Sequence, residues 1–386
     1  MRILIASPYY FPYTSGMTVY AQRLAEGLAK RGHEVRILAY NHAGMPENEK
    51  INGVEIFRVP ALVKFGRGIF SHKMAQEFSQ FLKWADIVNI HAPFFECGLL
   101  AQLAHSKEKR IFLTYHCDLV LTGWVAPFLI DRLHRLSVQR AAKYSEKIFV
   151  NSIEYVAHSY IRKFLRKTIE VPPPLDESRL RKVSSEKFRK KYSMGKKDFI
   201  AGFLGRITYE KGLEYLIDAA KLVSGKIPNL KIIIAGEGVF MAGGKLESII
   251  PKLKQKIKNL GLKNIIFTGK IPDAELNEFF SSLDVFVLPS INRLESFGMV
   301  QVEAMLCGAP VVASKIPGVS EVVKKTGFGL LAEPKNSEAL ANAIFSVYKD
   351  RKKLLPKRES IIKIFGMEKT LDAYERAFRR ATSPRL

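Results

Sequence analysis

Cysteine is scarce. The 386 residues hold three, Cys97, Cys117 and Cys307, with no Cys-x-x-Cys pair among them. That spacing excludes a zinc ribbon or a disulfide framework and predicts thiols in a reducing compartment. No His, Cys and Asp cluster has the spacing of metal ligands, so no metal is expected. Long apolar runs are missing too. The longest uncharged, strongly apolar stretch is Leu119 to Ile130, whereas a spanning helix needs about 20 residues. The first apolar run, Met1 to Ala6, breaks at Ser7-Pro8 and is too short for a signal-peptide core. These absences predict a cytoplasmic protein that rests on a membrane at most. Low-complexity segments and short solenoid repeats are also absent.

What is abundant is positive charge. There are 61 Lys+Arg against 37 Asp+Glu, a net charge of +24. It is not a tail: residues 1–175 hold 23 basic and 14 acidic residues (+9), and residues 176–386 hold 38 and 23 (+15). A solvated surface, a polyanionic partner and an anionic membrane all fit such a balance. Nucleic-acid binding is the alternative from another class, but it would need a recognised module or a concentrated basic-aromatic stripe. Neither is present. A hydrophobic fraction of 47% with 25% charged residues marks a globular chain rather than a disordered one.

Short β-branched runs alternate with longer helical patterns. In the first half the strand candidates are Arg2–Ala6, Val35–Ala39, Ile87–Ile90, Ile111–Tyr115 and Ile148–Asn151, with a helix from about Met17 to Lys30 closed by Gly32. The rhythm stops over residues 171–198, where Pro172-Pro173-Pro174 precedes a highly charged stretch, the best linker candidate. It resumes with Phe199–Leu204, Lys231–Ala235, Ile265–Thr268, Val285–Leu288 and Val311–Ala313. This βαβ rhythm predicts two doubly wound α/β domains, residues 1–171 and 176–364, with a ligand cleft at the carboxyl ends of their parallel strands.

Two segments carry chemistry. Gly205-Arg206-Ile207-Thr208-Tyr209-Glu210-Lys211-Gly212 follows a strand and leads into a helix. Two cations five residues apart at such a junction can reach one anion, helped by the helix dipole. The spacing is neither a P-loop nor a dinucleotide fingerprint. The second segment is Glu295-Ser296-Phe297-Gly298-Met299-Val300-Gln301-Val302-Glu303. It predicts a helix from about Gly298 to Leu306 whose first N–H groups can hold a phosphate, with Gly298 leaving room for it. Eight residues at 100° each put Glu303 about 80° from Glu295, so the two carboxylates serve different parts of one ligand.

Together these segments resemble the GT4 family of retaining glycosyltransferases, with a GT-B fold of two Rossmann-like domains facing across a cleft. The resemblance covers nearly the whole chain. It rests on the Glu295–Glu303 pair with Phe297-Gly298 between them, and on Arg206 and Lys211. Gly16 after the first strand, His116 in Tyr115-His116-Cys117-Asp118 and the late Ile316-Pro317-Gly318-Val319-Ser320-Glu321 loop complete it. The family often shows two glycines where this chain has only Gly16. The resemblance implies a nucleotide-diphospho-sugar donor on the C-terminal domain and retention of anomeric configuration. Glu303 would hold the ribose, and Glu295 the donor sugar hydroxyls. Arg206, Lys211 and the Ser296, Phe297, Gly298, Met299 and Val300 segment would take the diphosphate, and Ile271 would contact the base. His116 and Glu295 are the implied catalytic pair. The last helix, within 365–386, would return to the first domain. A sugar-nucleotide epimerase or a phosphorylase would keep the fold and change the reaction.

No Asp-x-Asp occurs. Fixed cations and a helix start can stabilise a diphosphate leaving group in place of a metal, so metal independence is expected and no cofactor is required. The acceptor is expected on the N-terminal domain, with His91, Asp118 and Trp124 as candidate contacts. Two basic-aromatic segments there, Lys64 to Phe70 and Leu119 to Ile130 followed by Arg132, Arg135 and Arg140, suit an anionic bilayer surface. A lipid or lipid-linked acceptor is therefore expected. The base, the sugar and the oligomeric state are not readable from these motifs.

Overall fold

The computed structural model describes residues 1–13, 15–42, 44–61, 63–65, 68–119, 125–238 and 248–383. The chain forms two compact units, Met1–Pro174 together with Met367–Leu386, and Leu175–Gly366.

The first unit is built on a sheet whose strands run, in spatial order, Thr168–Glu170, Lys147–Val150, Arg110–Tyr115, Ile87–Ala92, Arg2–Ala6, Glu34–Asn41, Val54–Pro60 and Asn48–Ile51. All neighbours are parallel except the final antiparallel pair. Alternate side chains of a strand point to opposite faces, and both faces here are covered. Ile3, Ile5, Ile37 and Phe112 join the core under the helix Gly16–Lys30, whereas Leu4, Ala6, Leu38 and Leu113 face the other core, with Phe78, Leu100 and Val138. Double coverage is why these strands read as continuous apolar runs.

The C-terminal helix, Met367–Thr382, belongs to the first of these cores. Tyr374 stacks on Phe149 at 3.7 Å, and Phe378 meets Phe112 edge-on at 4.8 Å. Leu371 lies over Gly27 so closely that a Cβ there would sit 2.8 Å from it. Arg31 binds Asp372 at 2.9 Å and Glu375 at 3.2 Å along the helix edge.

The second unit has a fully parallel sheet in the order Ile265–Gly269, Leu230–Ala235, Phe199–Leu204, Val285–Leu288, Val311–Ser314 and Gly329–Ala332. Strand order reverses between Phe199–Leu204 and Val285–Leu288. In doubly wound sheets a ligand crevice opens at that switch point, beyond the carboxyl ends of the two strands.

The charged stretch after the prolines is not a linker. It belongs to the second unit: Leu175 bridges Gly366, and the helix Glu186–Lys191 buries Phe188 against Phe279. One apolar residue was enough to dock a short helix whose other residues are mostly solvated. Among the described residues, no helix is long and apolar enough to cross a membrane.

Candidate active site

In the second unit three strand-end loops are sewn together at the switch point. After Phe199–Leu204 the chain makes a 3₁₀ turn, Tyr209–Lys211, and then Gly212 adopts φ +65° before the helix Leu213–Val223. A Cβ on Gly212 would lie 2.1 Å from the Pro289 carbonyl oxygen. Only glycine therefore combines that left-handed backbone with so close an approach. The Ile291 N–H donates to the Glu210 carbonyl at 3.0 Å, and on the other side the Ile207 N–H donates to the Glu237 carbonyl at 2.8 Å. The segment holding both cations is thus fixed from two directions.

That fixing brings Lys211 to Glu295. The Lys211 ammonium donates to the Glu295 carboxylate in a short contact, both side chains about five-sixths buried. Arg206 is exposed at the start of the same loop. Glu295 lies in the loop before the helix Met299–Leu306 rather than on it, so the 80° helical offset from Glu303 does not apply. Glu303 is half-buried on the helix. Gly298 is its N-cap at φ +74°, with no side chain capping the first turn. A Cβ on Gly298 would meet Leu288 at 2.5 Å and Gln301 at 2.8 Å. The first N–H groups of that turn have no acceptor within the helix.

Phe297 is buried with its ring 5.8 Å from Phe365, so its side chain anchors the loop; Ser296, Met299 and Val300 are half-buried. Ile271 follows the strand Ile265–Gly269, its side chain in the core. Two hydroxyl oxygens in the neighbouring loops, Thr208 Oγ1 and Ser290 Oγ, are buried without a hydrogen-bond partner among the described residues. Neither was a sequence candidate, although Ser290 lies two residues past the end of the strand Val285–Leu288.

The first unit places the two candidate histidines at carboxyl strand ends as well, and Gly16 at the start of the helix that follows the first strand. Gly16 is the exposed first residue of its helix, and the cap is supplied by Ser15, whose Oγ accepts from the Thr18 N–H at 3.2 Å. His116 directly follows Arg110–Tyr115 and its Nε2 lies 3.1 Å from His91 Nδ1. Burial holds the His116 imidazole down at about 3 and pushes His91 well below the ordinary histidine range, so both rings are neutral at pH 7.

Two expected acceptor contacts are corrected. His91 is completely buried and supports His116 instead of facing a ligand. Asp118 is buried too, its Oδ1 accepting from the Tyr115 hydroxyl and from the Tyr160 N–H at 3.1 Å, so it holds the loop. Trp124 and Arg67 lie outside the described residues. Among the described residues, no group of three or more His, Cys, Asp or Glu side chains could hold a metal ion.

Comparison with known proteins agrees with this architecture. Residues 15–152 match the family described as glycosyl transferase 4-like domain, and residues 184–364 match glycosyl transferases group 1. An uncharacterised glycosyltransferase of Methanocaldococcus jannaschii is 26% identical, over 91% of this chain and 90% of its own. The sucrose-phosphate synthase structure from Thermosynechococcus elongatus superposes with a TM-score of 0.78 at 21% identity, covering 98% of each chain. Anabaena HepE, solved with UDP and glucose, gives 0.76 at 21% identity over 98% of this chain and 100% of its own. With two parallel-sheet units of the GT-B type and both halves matched, the chain belongs to the GT4-like, group 1 glycosyltransferases.

Proposed function

We propose that the chain transfers a hexose from a nucleoside diphosphate sugar to an acceptor hydroxyl with retention of anomeric configuration. The observation that carries this reading is the Lys211–Glu295 pair beside the uncapped Gly298 helix start, at the switch point of the second sheet. A diphosphate competes with Glu295 for Lys211, and the released carboxylate accepts hydrogen bonds from the donor sugar. Arg206, Lys211 and the Met299 and Val300 N–H groups stabilise negative charge as the bond between the anomeric carbon and the phosphate oxygen breaks. Glu303 takes the ribose, and the Ile271 backbone contacts the base. His116, neutral, serves the sugar hydroxyls. The acceptor oxygen bonds to the anomeric carbon on the face the leaving group departs from, and its proton passes to a phosphate oxygen. HepE was solved with UDP and glucose, which makes UDP-glucose the first donor to try. A panel of UDP-, GDP- and ADP-sugars, read by nucleotide release and product anomer, tests the reading. Binding of none, or an inverted product, would overturn it. Because charge neutralisation is assigned to fixed cations, turnover is expected to survive EDTA. Loss in EDTA with recovery in Mg²⁺ would remove Arg206 and Lys211 from that role.

The acceptor is proposed to be a lipid or lipid-linked glycan, met on the inner face of the cell membrane by a cytoplasmic enzyme. The support is the helix Val125–Tyr144. Leu129, Leu133 and Leu136 are 58%, 59% and 54% exposed. With exposed Arg132, Arg140 and Lys143 they fall within an arc of about 100° at 100° per residue. An apolar stripe edged by cations suits an anionic interface. Flotation with anionic liposomes should recover the protein in the lipid fraction and release it in salt. Recovery equal to that with neutral liposomes would refute the surface.

A further inference from the structure

A chain of buried hydrogen bonds runs from the sheet backbone to His116 and fixes which ring nitrogens carry the protons. It begins at the Phe112 carbonyl, which can only accept. Asn89 Nδ2 lies 3.3 Å from that oxygen, so the amide nitrogen faces the Phe112 carbonyl; the Thr114 hydroxyl, 3.0 Å from Nδ2 and 3.2 Å from Oδ1, is compatible with either amide atom. Asn89 Oδ1 consequently faces His91 Nε2, at 2.9 Å. An amide oxygen only accepts, so His91 carries its proton on Nε2 and leaves Nδ1 bare. Bare Nδ1 lies 3.1 Å from His116 Nε2, which must therefore be the donor. In a neutral ring the remaining nitrogen, His116 Nδ1, is an acceptor, and it has no hydrogen-bond partner among the described residues.

We infer that Asn89, acting through His91, is a positioning residue that locks the His116 proton on Nε2 and presents Nδ1 as a fixed acceptor for a substrate hydroxyl. The inference rests on the proposed role of His116 at the sugar, but the tautomer follows from the hydrogen bonds alone. The amide anchor is extended by the C-terminal helix. Thr114 Oγ1 lies 2.8 Å from the Tyr374 hydroxyl, which lies 2.9 Å from the Tyr20 hydroxyl. The Tyr20 ring in turn stands edge-on to His116 at 4.8 Å. Every one of these side chains is buried, so water does not compete for the bonds, and a reversed amide would set two carbonyl oxygens against each other. A polar network in such surroundings specifies one arrangement.

The test is a long-range ¹H–¹⁵N correlation spectrum of protein labelled with ¹⁵N-histidine, with His116→Ala used for assignment. At neutral pH both His91 and His116 are expected as neutral Nε2–H tautomers. A charged ring, or a proton on Nδ1 of His116, overturns the inference whatever the activity. Asn89→Leu is then expected to mix the tautomers at both rings and to lower kcat about a hundredfold, as a misplaced group does, with the donor KM unchanged. Tautomers unchanged in Asn89→Leu also overturn it, even if kcat falls. Should that variant not fold, the wild-type spectrum still decides. Near-normal turnover in His116→Ala would count against the proposed role of His116, while the tautomer result would stand.

Discussion

At the residue scale, Gly298 at the helix start of the second unit's site resists any side chain for two reasons. Its φ of +74° disfavours any side chain, and a Cβ would press on Leu288 and Gln301. The left-handed backbone costs roughly 1–2 kcal/mol and the overpacking about 1–3 kcal/mol. Gly298→Ala is expected to lower the unfolding midpoint of its unit accordingly and to weaken donor binding, both measurable in one titrated thermal scan. A melting point within a degree of wild type would show that the helix start yields freely. Glu295→Ala and His116→Ala are expected to keep the fold and lose about a hundredfold or more in kcat. Near-normal turnover in either would remove that residue from the site. Residues of this kind were legible because their chemistry is local: Lys211, Glu295 and Gly298 stand at strand ends in short motifs. Asn89, Thr114 and Tyr374 were not. Tyr374 meets Tyr20 across 354 positions and Thr114 across 260, and no local spacing encodes such a meeting. His91 read equally as an acceptor contact or as packing because a strand-end histidine looks the same whether it is buried or exposed.

At the element scale, the central strands of both sheets were readable from apolar runs, as was the edge strand Ile265–Gly269, whereas the edge strands Thr168–Glu170, Asn48–Ile51 and Gly329–Ala332 were not. Asn48–Ile51 and Val54–Pro60 form an antiparallel pair around Asn52-Gly53, whose φ values of +50° and +85° are those of a primed hairpin turn. The Asn-Gly signal was present, but charged residues interrupt both strands because that edge is half solvated. The C-terminal helix shows the opposite case, in which a far segment supplies core. Leu371, Tyr374 and Phe378 are at most 2% exposed, and burying three such side chains contributes about 5–9 kcal/mol. That is comparable with the whole stability of a typical domain, about 5–15 kcal/mol. A chain stopped at Gly366 is therefore expected to lose cooperative unfolding of the first unit and to expose it to limited proteolysis. A truncated protein whose Met1–Pro174 segment stays protease-resistant would mean that the helix merely decorates the sheet.

At the scale of the whole molecule, the charge that dominates the composition divides unevenly in kind. The basic excess is shared by both halves, yet all eight histidines lie in residues 1–175. Three of them, His91, His116 and His134, are held below their ordinary range by burial, the last two at about 3 and about 4. A histidine kept neutral in the folded state binds its proton more readily once unfolded. Stability is therefore fully present above the unfolded value near 6.5 and falls as pH drops towards the folded values, by about 1.4 kcal/mol per pH unit for each such group. His91 and His116 are hydrogen-bonded to each other, so they lose their protection as a pair. The second unit has no histidine and lacks this linkage altogether. Acid should therefore open the first unit between about pH 5 and 4, where the linkage overtakes an ordinary domain stability, and leave the second unit folded. Both tryptophans, Trp84 and Trp124, also lie in residues 1–175, so their emission reports the first unit alone while far-UV circular dichroism reports both. The expected titration has the tryptophan transition complete while a large part of the dichroism remains. Coincident transitions, or tryptophan emission unchanged down to about pH 4 where the linkage is already large, would mean that the buried histidines are not neutral in the folded protein.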